Sequence, residues 1–274
     1  MALSYHDSRT EPHCTLRGTT VPPMPCLQWT TNMDSTAAII VIGNEILSGK
    51  VRDENGPFLV TEMRELGLPV CRIHVIPDDV SVIAATVRDA ASLATFVFTC
   101  GGVGPTLDDV TFEGVARAFD EPLVRHPELA QIIRDHLGDG TTESHLKMAD
   151  VPNSTELIRA EGLPWPAARV RNVMVFPGSP ELVRVKWQAL RERFRQMPFV
   201  LRRVFTTLDE GLVAPHLDAI AAAWPEVDLG SYPLWKPTDY SVQVTLEGKD
   251  EARVESALKD LLDRLDSTTI VRVE

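Results

Sequence analysis

The chain has 274 residues, with 39 acidic against 27 basic side chains and a formal charge of −12, long enough for one large domain or two modest ones that bury their own cores. No stretch offers the roughly 18–20 consecutive apolar residues of a membrane-spanning helix, and an acidic chain without a basic block gives nucleic-acid phosphate nothing to hold, so neither partner is expected. Cys14, Cys26, Cys71 and Cys100 form no CxxC pair and read as buried, reduced thiols of a cytoplasmic protein, while the histidines lack ligand spacing, so no structural zinc is expected.

Residues 1–35 hold Pro12, Pro22, Pro23 and Pro25 among serines and threonines without hydrophobic period and read as a disordered extension. Met33 offers an alternative start for the folded region. From Thr36, β-branched runs alternate with segments of helical apolar spacing. The order is a strand over Ala37–Ile42, a helix opened by Asn55-Gly56-Pro57 with Leu59, Met63 and Leu66 on one face, and a strand over Val70–Ile76. A helix through Ile83, Val87 and Ala90 follows, then a strand over Ala94–Thr99 and a helix with Phe112, Val115, Ala116 and Phe119 inward. Such alternation predicts an α/β fold with a mostly parallel sheet between helical layers, because parallel neighbours need long crossovers. Gly162 to Pro166 reads as an exposed loop, Val170–Phe176 as one strand stopped by Pro177-Gly178, and Pro180–Arg195 as a helix.

Beyond Met197-Pro198 the order becomes strand Val200–Thr206, helix Asp209–Ala223, strands Val227–Tyr232 and Tyr240–Leu246, helix Asp250–Leu265 and strand Thr269–Val273. That is the βαββαβ order of a small α+β ferredoxin-like domain. The domains are therefore set at 36–197 and 198–274. The strand Tyr240–Leu246 is read as able to pair across a subunit interface, and a homo-oligomer is expected. Tyr232 and Trp235 read as part of a buried aromatic cluster, with stacking on a flavin or adenine ring as the alternative.

Two phosphate-binding look-alikes fail. Between Gly43 and Gly49 lie five residues instead of the four of a P-loop, and Val51 stands where Ser or Thr would hold magnesium. Gly102-Val103-Gly104 begins a dinucleotide fingerprint, but Leu107 replaces its third glycine. The densest chemical signal is Thr99-Cys100-Gly101-Gly102-Val103-Gly104-Pro105-Thr106-Leu107-Asp108-Asp109-Val110-Thr111, leaving a strand and entering a helix. Gly101, Gly102 and Gly104 let backbone N–H groups approach an anion, and the helix near Thr111 adds its positive end. Asp108 and Asp109 would repel a phosphate unless a divalent metal, or a heterocycle offering N–H donors, lies between.

Other strand-to-helix loops bring Gly43, Glu45, Ser48, Asp53, Asn55 and Asp78 to the same sheet edge, where open α/β sheets bind ligands. Asp53 and Asn55 serve equally well as helix caps, and Asp79 reads as a cap. Lys147 is the basic residue assigned toward a phosphate.

The run Gly101 to Thr106 with Asp108-Asp109-Val110-Thr111, preceded by Gly43-Asn44-Glu45-Ile46-Leu47-Ser48-Gly49 and Asp53-x-Asn55, resembles the molybdopterin-binding domain family of molybdenum-cofactor biosynthesis proteins. Within it, the chain is most similar to the competence/damage-inducible protein A branch. Val170-Arg171-Asn172-Val173, Phe176-Pro177-Gly178 and Leu229-Gly230-Ser231-Tyr232-Pro233 with Trp235 resemble the N-terminal domain of eukaryotic-type FAD synthases. The resemblance covers about residues 36–274. It implies a three-layer α/β molybdopterin-binding fold whose cleft takes molybdopterin or a nucleotide, with two functional aspartates matching Asp78 and Asp109. It also implies pyrophosphate cleavage of ADP-ribose or FAD, dependent on a divalent cation (cobalt, manganese or magnesium) and helped by potassium. Asn44 stands where many members carry Asp, which removes a charge. Neither the nicotinamide-mononucleotide deamidase domain nor the adenylyl-transferring domain is present in the sequence, so neither activity is expected.

The resulting reading is a metal-dependent pyrophosphatase that releases AMP. Asp109, Asp108 and Asp78 are its catalytic residues, and Asp109, Asp108 and Glu45 hold the metal. Gly43, Glu45, Ser48, Asp53, Asn55, Gly101, Gly102, Gly104, Pro105, Thr106, Thr111, Lys147 and Gly178 contact substrate. The alternatives are a non-catalytic molybdopterin- or nucleotide-binding module, cued by Asn44, and a molybdopterin adenylyltransferase, against which the ferredoxin-like tail stands.

Overall fold

The computed structural model describes residues 35–163, 165–236 and 238–274. The expected disordered extension, apart from Ser35, lies outside the described residues, as do Cys14 and Cys26. In chain order the first half comprises β1 (Ala37–Ile42), α1 (Asn44–Leu47), α2 (Asn55–Glu65), β2 (Val70–Ile76), α3 (Val80–Leu93), β3 (Phe96–Cys100) and α4 (Thr111–Ala118). Then come β4 (Leu123–Arg125), α5 (Pro127–Leu137), α6 (Glu143–Lys147), β5 (Asp150–Pro152), β6 (Glu156–Ile158), β7 (Ala167–Val170), β8 (Val173–Phe176) and α7 (Pro180–Leu190). A six-stranded sheet in the order β2-β1-β3-β8-β7-β6 forms the middle layer. Its first four strands run parallel, and β7 and β6 close it antiparallel. β4 and β5 make a separate antiparallel pair.

Alternation along the strands sends residues to two helical layers. Ala38, Ile40, Ile42, Val97, Val173 and Val175 meet Ile83, Ala84, Val87 and Ala90 of α3 and Val115 and Ala118 of α4. On the opposite face the core is aromatic. Trp187 of α7 stacks on Phe194 with centroids 5.7 Å apart and meets Phe98 edge-on at 5.8 Å. The Glu62 carboxylate of α2 accepts from Trp187 Nε1 at 2.8 Å and from Arg191 Nη1 at 2.6 Å, which joins α2 to α7 and satisfies the buried indole N–H. The expected three-layer α/β architecture with a mostly parallel sheet is present.

The second domain holds β9 (Val200–Thr206), α8 (Glu210–Ala223), β10 (Asp228–Pro233), β11 (Val242–Gly248), α9 (Glu251–Arg264) and β12 (Ile270–Val273). Its antiparallel sheet has the order β10-β11-β9-β12, and Val204, Val242, Val244 and Leu246 pack against Val213, Ile220, Val254 and Leu261 of the two helices. This is the ferredoxin-like arrangement. The linker between the sheets is fixed rather than loose. Gln196 N–H donates to Leu66 O at 2.8 Å, Arg64 pairs with Glu247, and Gly67 lies so near the Met197 carbonyl that a Cβ would overlap it.

Four expectations are corrected. The run Val170–Phe176 is two strands, because Arg171 takes a left-handed φ of 53° and reverses the chain. Asn172 Nδ2 holds that turn by donating to Ala91 O and Ala94 O, both at 3.0 Å. The strand Tyr240–Leu246 begins two residues later as β11, and its backbone groups are consumed by β10 and β9, so it offers no edge to a second subunit. Tyr232 and Trp235 form no buried cluster, since Trp235 is 95% exposed and Tyr232 57%. Cys71 is exposed because β2 is an edge strand, whereas Cys100 is buried. Among the described residues, no helix is long and apolar enough to cross a membrane.

Lys186 of α7 is buried, and its ammonium donates to Trp165 O at 2.9 Å and Pro166 O at 2.8 Å. Burial pushes it down from 10.5 to about 8. Across that window the unfolded chain keeps a proton that the folded chain has released, so stability rises with pH. Urea unfolding at about pH 7.5 and about pH 9.5 should therefore show the wild type gaining stability relative to Lys186→Met at the higher pH. An unchanged difference would mean that this ammonium stays charged.

Candidate functional site

The carboxyl ends of β1, β2, β3 and β8 lie side by side, and each loop there is tied to a neighbour. Asp78, just past β2, accepts the Asn44 N–H of α1 at 2.8 Å. Asp79 caps α3 by accepting from Ser81 and Val82 N–H groups. Asp53 Oδ1 accepts from Asn55 N–H at 2.9 Å and Gly56 N–H at 3.0 Å, and the buried Asn55 donates through Nδ2 to Gly178 O at 2.8 Å. Of the two roles open to Asp53 and Asn55, the structure displays the architectural one. Ser48 is exposed, and its hydroxyl donates to Glu45 O at 3.2 Å.

The loop after β3 is closed at its base. Gly101 has φ +113°, and a Cβ there would collide with the Ile42 carbonyl of β1, a place only glycine can occupy without strain. Its N–H donates to Phe176 O at 3.2 Å, and Gly178 packs beside its Cα. Thr111 is fully buried. Its hydroxyl donates to Gly101 O at 2.8 Å, and its N–H donates to Gly102 O at 2.9 Å. Thr111, expected to contact substrate, therefore faces inward and locks the loop. Among the described residues, no chain acceptor pairs with the N–H groups of Gly102, Val103 and Gly104. They border a cleft of about 160 Å³ that Phe112, Leu123, Lys147 and Met148 also line. Leu123 and Met148 carry no sequence signal for such a role, because the short strand and helix end that place them are defined only by the fold.

The outer part of the loop is polar. Thr106 N–H donates to Asp109 Oδ2 at 2.9 Å, and its hydroxyl lies 2.6 Å from Asp108 Oδ1. Lys147 Nζ donates to Thr106 O at 2.6 Å. The Thr106 hydroxyl and Asp108's own N–H hold the Asp108 carboxyl below its usual range, with the Lys147 charge assisting. Asp78 is raised, first by burial and then by the negative charges of Glu45, Asp108 and Asp109, against the lowering effect of the Asn44 N–H. Four carboxylates therefore share one electrostatic neighbourhood.

Among the described residues, no three His, Cys, Asp or Glu side chains stand ready-made as a metal cage. The donors present are carboxylate oxygens, which suit a hard divalent cation. Such an ion is commonly held by one or two carboxylates and completed by water and substrate phosphates.

A family model described as "Probable molybdopterin binding domain" matches residues 38–196, and one described as "FAD synthase, middle domain" matches residues 198–274. The chain is 35% identical over 227 residues to a protein of Archaeoglobus fulgidus, covering 83% of this chain and 96% of that relative. It is 33% identical over 259 residues to a protein of Caenorhabditis briggsae named "Probable FAD synthase", covering 83% of this chain and 49% of that one. The chain thus spans about half the length of this FAD synthase relative. The crystal structure of the protein CinA from Thermoplasma acidophilum, of unknown function, superposes with a TM-score of 0.54 at 29% identity, over 59% of this chain and 99% of that chain.

Replacing Gly101 by Ala should cost about 2–4 kcal/mol, from the disfavoured backbone conformation and the overlap with Ile42 together. Urea unfolding measures it, and a loss below about 0.5 kcal/mol, the range of ordinary surface substitutions, would mean that the loop does not lean on β1 as described.

Proposed function

Because the chain belongs to the molybdopterin-binding domain family, we propose that it is a metal-dependent nucleotide pyrophosphatase that hydrolyses FAD or ADP-ribose and releases AMP. The observation that carries this reading is one loop that presents backbone donors at Gly102, Val103 and Gly104, unpaired among the described residues, beside the carboxylates of Asp78, Asp108, Asp109 and Glu45. The donors suit a pyrophosphate, and the carboxylates suit the cation that an anionic substrate brings to an acidic protein.

A divalent cation held by one or two of the Asp109, Asp108 and Glu45 carboxylates, its shell completed by water and substrate phosphate, would neutralise charge on the pyrophosphate and make water more acidic at neutral pH. The three amides would stabilise charge that grows on the equatorial oxygens during in-line attack, without reorganising as it grows. Asp78 Oδ2 is occupied by the Asn44 N–H. Oδ1 would lie 3.5 Å from a Cβ built on Gly102. With its acidity weakened by burial and neighbouring charge, Asp78 is suited to take a proton from the attacking water at Oδ1. Gly43, Glu45, Ser48 and Pro105 would line the approach for the rest of the nucleotide. A binding module without turnover is the second reading. Asn44 favours it, contributing a backbone N–H to Asp78 but no charge to the first loop.

Purified protein incubated with FAD or with ADP-ribose, with and without cobalt, manganese or magnesium plus potassium, should release AMP only when metal is present. Asp109→Asn should lower that rate at least about 100-fold, since the cation supplies several kcal/mol. An unchanged metal-dependent rate in Asp109→Asn would overturn the assignment, and binding of either nucleotide without AMP release would establish the module instead.

A further inference from the structure

We infer that Lys147 is a positioning residue, whose ammonium holds Thr106 in the place from which that residue aims the Asp108 and Asp109 carboxylates, rather than a ligand for substrate phosphate. The inference deepens the hydrolase reading and rests on its assignment of those two carboxylates. Five hydrogen-bond contacts meet at Thr106, two of them further ones to Asp109, and three carry the argument. Its carbonyl accepts from Lys147 Nζ at 2.6 Å, its N–H donates to Asp109 Oδ2 at 2.9 Å, and its hydroxyl lies 2.6 Å from Asp108 Oδ1. The other hydrogen bonds of Pro105–Asp109 stay inside that segment. Among the described residues, Lys147 therefore makes the hydrogen bond that ties this segment to another element. Leu107, at the tip, is 96% exposed and adds no packing.

The base of the lysine is rigid enough for that task. α6 begins with a reciprocal cap between Thr142 and His145, and its Leu146 is buried with Leu129, Ile133, Ala149 and Val151. Arg125 then binds Asp150 through Nε and Nη2 and Glu143 through Nη1, which fixes both ends of the excursion that delivers the lysine.

The opposing roles separate by sign. If Lys147 were only a nearby positive charge, removing it would tighten binding of a divalent cation at Asp108. If it were a phosphate ligand, Mn²⁺ affinity would stay and KM for the nucleotide would rise. As a positioning residue, its loss should weaken Mn²⁺ binding about 10- to 100-fold, the usual effect of removing an outer-shell partner.

The test uses the full chain with Lys147→Met and Lys147→Arg. Titration with Mn²⁺ alone, read by electron paramagnetic resonance, should show that weakening in Lys147→Met and its recovery in Lys147→Arg. Amide hydrogen exchange without ligand should speed up over residues 106–110 in Lys147→Met and nowhere else. Turnover should lose kcat with KM unchanged. Unchanged exchange over residues 106–110, or tighter Mn²⁺ binding in Lys147→Met, would overturn the inference. A wild type that binds no Mn²⁺ would remove the cation from the proposed function, and the exchange data would still decide the role of Lys147.

Discussion

At Gly101 the chain leaves β3 with φ +113° and passes so close to the Ile42 carbonyl that no Cβ fits between them. The base of the loop is pressed onto β1 and stitched to Phe176 and Thr111. Among the described residues, the amides of Gly102, Val103 and Gly104 just beyond it find no chain acceptor. Unpaired donors at the end of a parallel strand are tolerable where water or a ligand can reach them. The cleft beside them provides that access.

Charge is arranged around the same loop with little compensation. Asp78, Glu45, Asp108 and Asp109 face one another closely enough for the last three to weaken the acidity of the first. Such crowding is destabilising in an empty protein and is relieved by a bound cation or by a proton shared among the group. The chain meets part of the cost itself, through the Asn44 N–H on Asp78 and the Thr106 hydroxyl and Lys147 charge near Asp108.

Much of this was legible in the sequence. Three glycines with two aspartates after a β-branched run marked the loop, and alternating periods marked the layers. What escaped depended on partners far away in the chain. Arg171-Asn172 carries a turn-favouring residue inside a β-branched run, but what fixes the turn is distant, because Asn172 finds its acceptors at Ala91 and Ala94. Cys71 has the neighbours of a buried strand, and only the sheet order makes β2 an edge. Thr111 and Asn55 have polar side chains that suit a ligand, yet both are spent inward on Gly101 and Gly178 carbonyls. Residue type shows capacity, and topology decides where it is used. Lys147 shows the same thing, since α6 directs its ammonium to a carbonyl at Thr106.

The strand order also sets a timetable. β8 belongs beside β3, and Phe176, which accepts the Gly101 N–H, comes 75 residues after that glycine in the chain. At roughly 5–20 residues per second, a ribosome needs on the order of ten seconds to make that stretch. Until it is made, the glycine loop lacks the strand that supports it. The ligand edge of this protein is consequently assembled late, after most of the sheet that carries it has already been made.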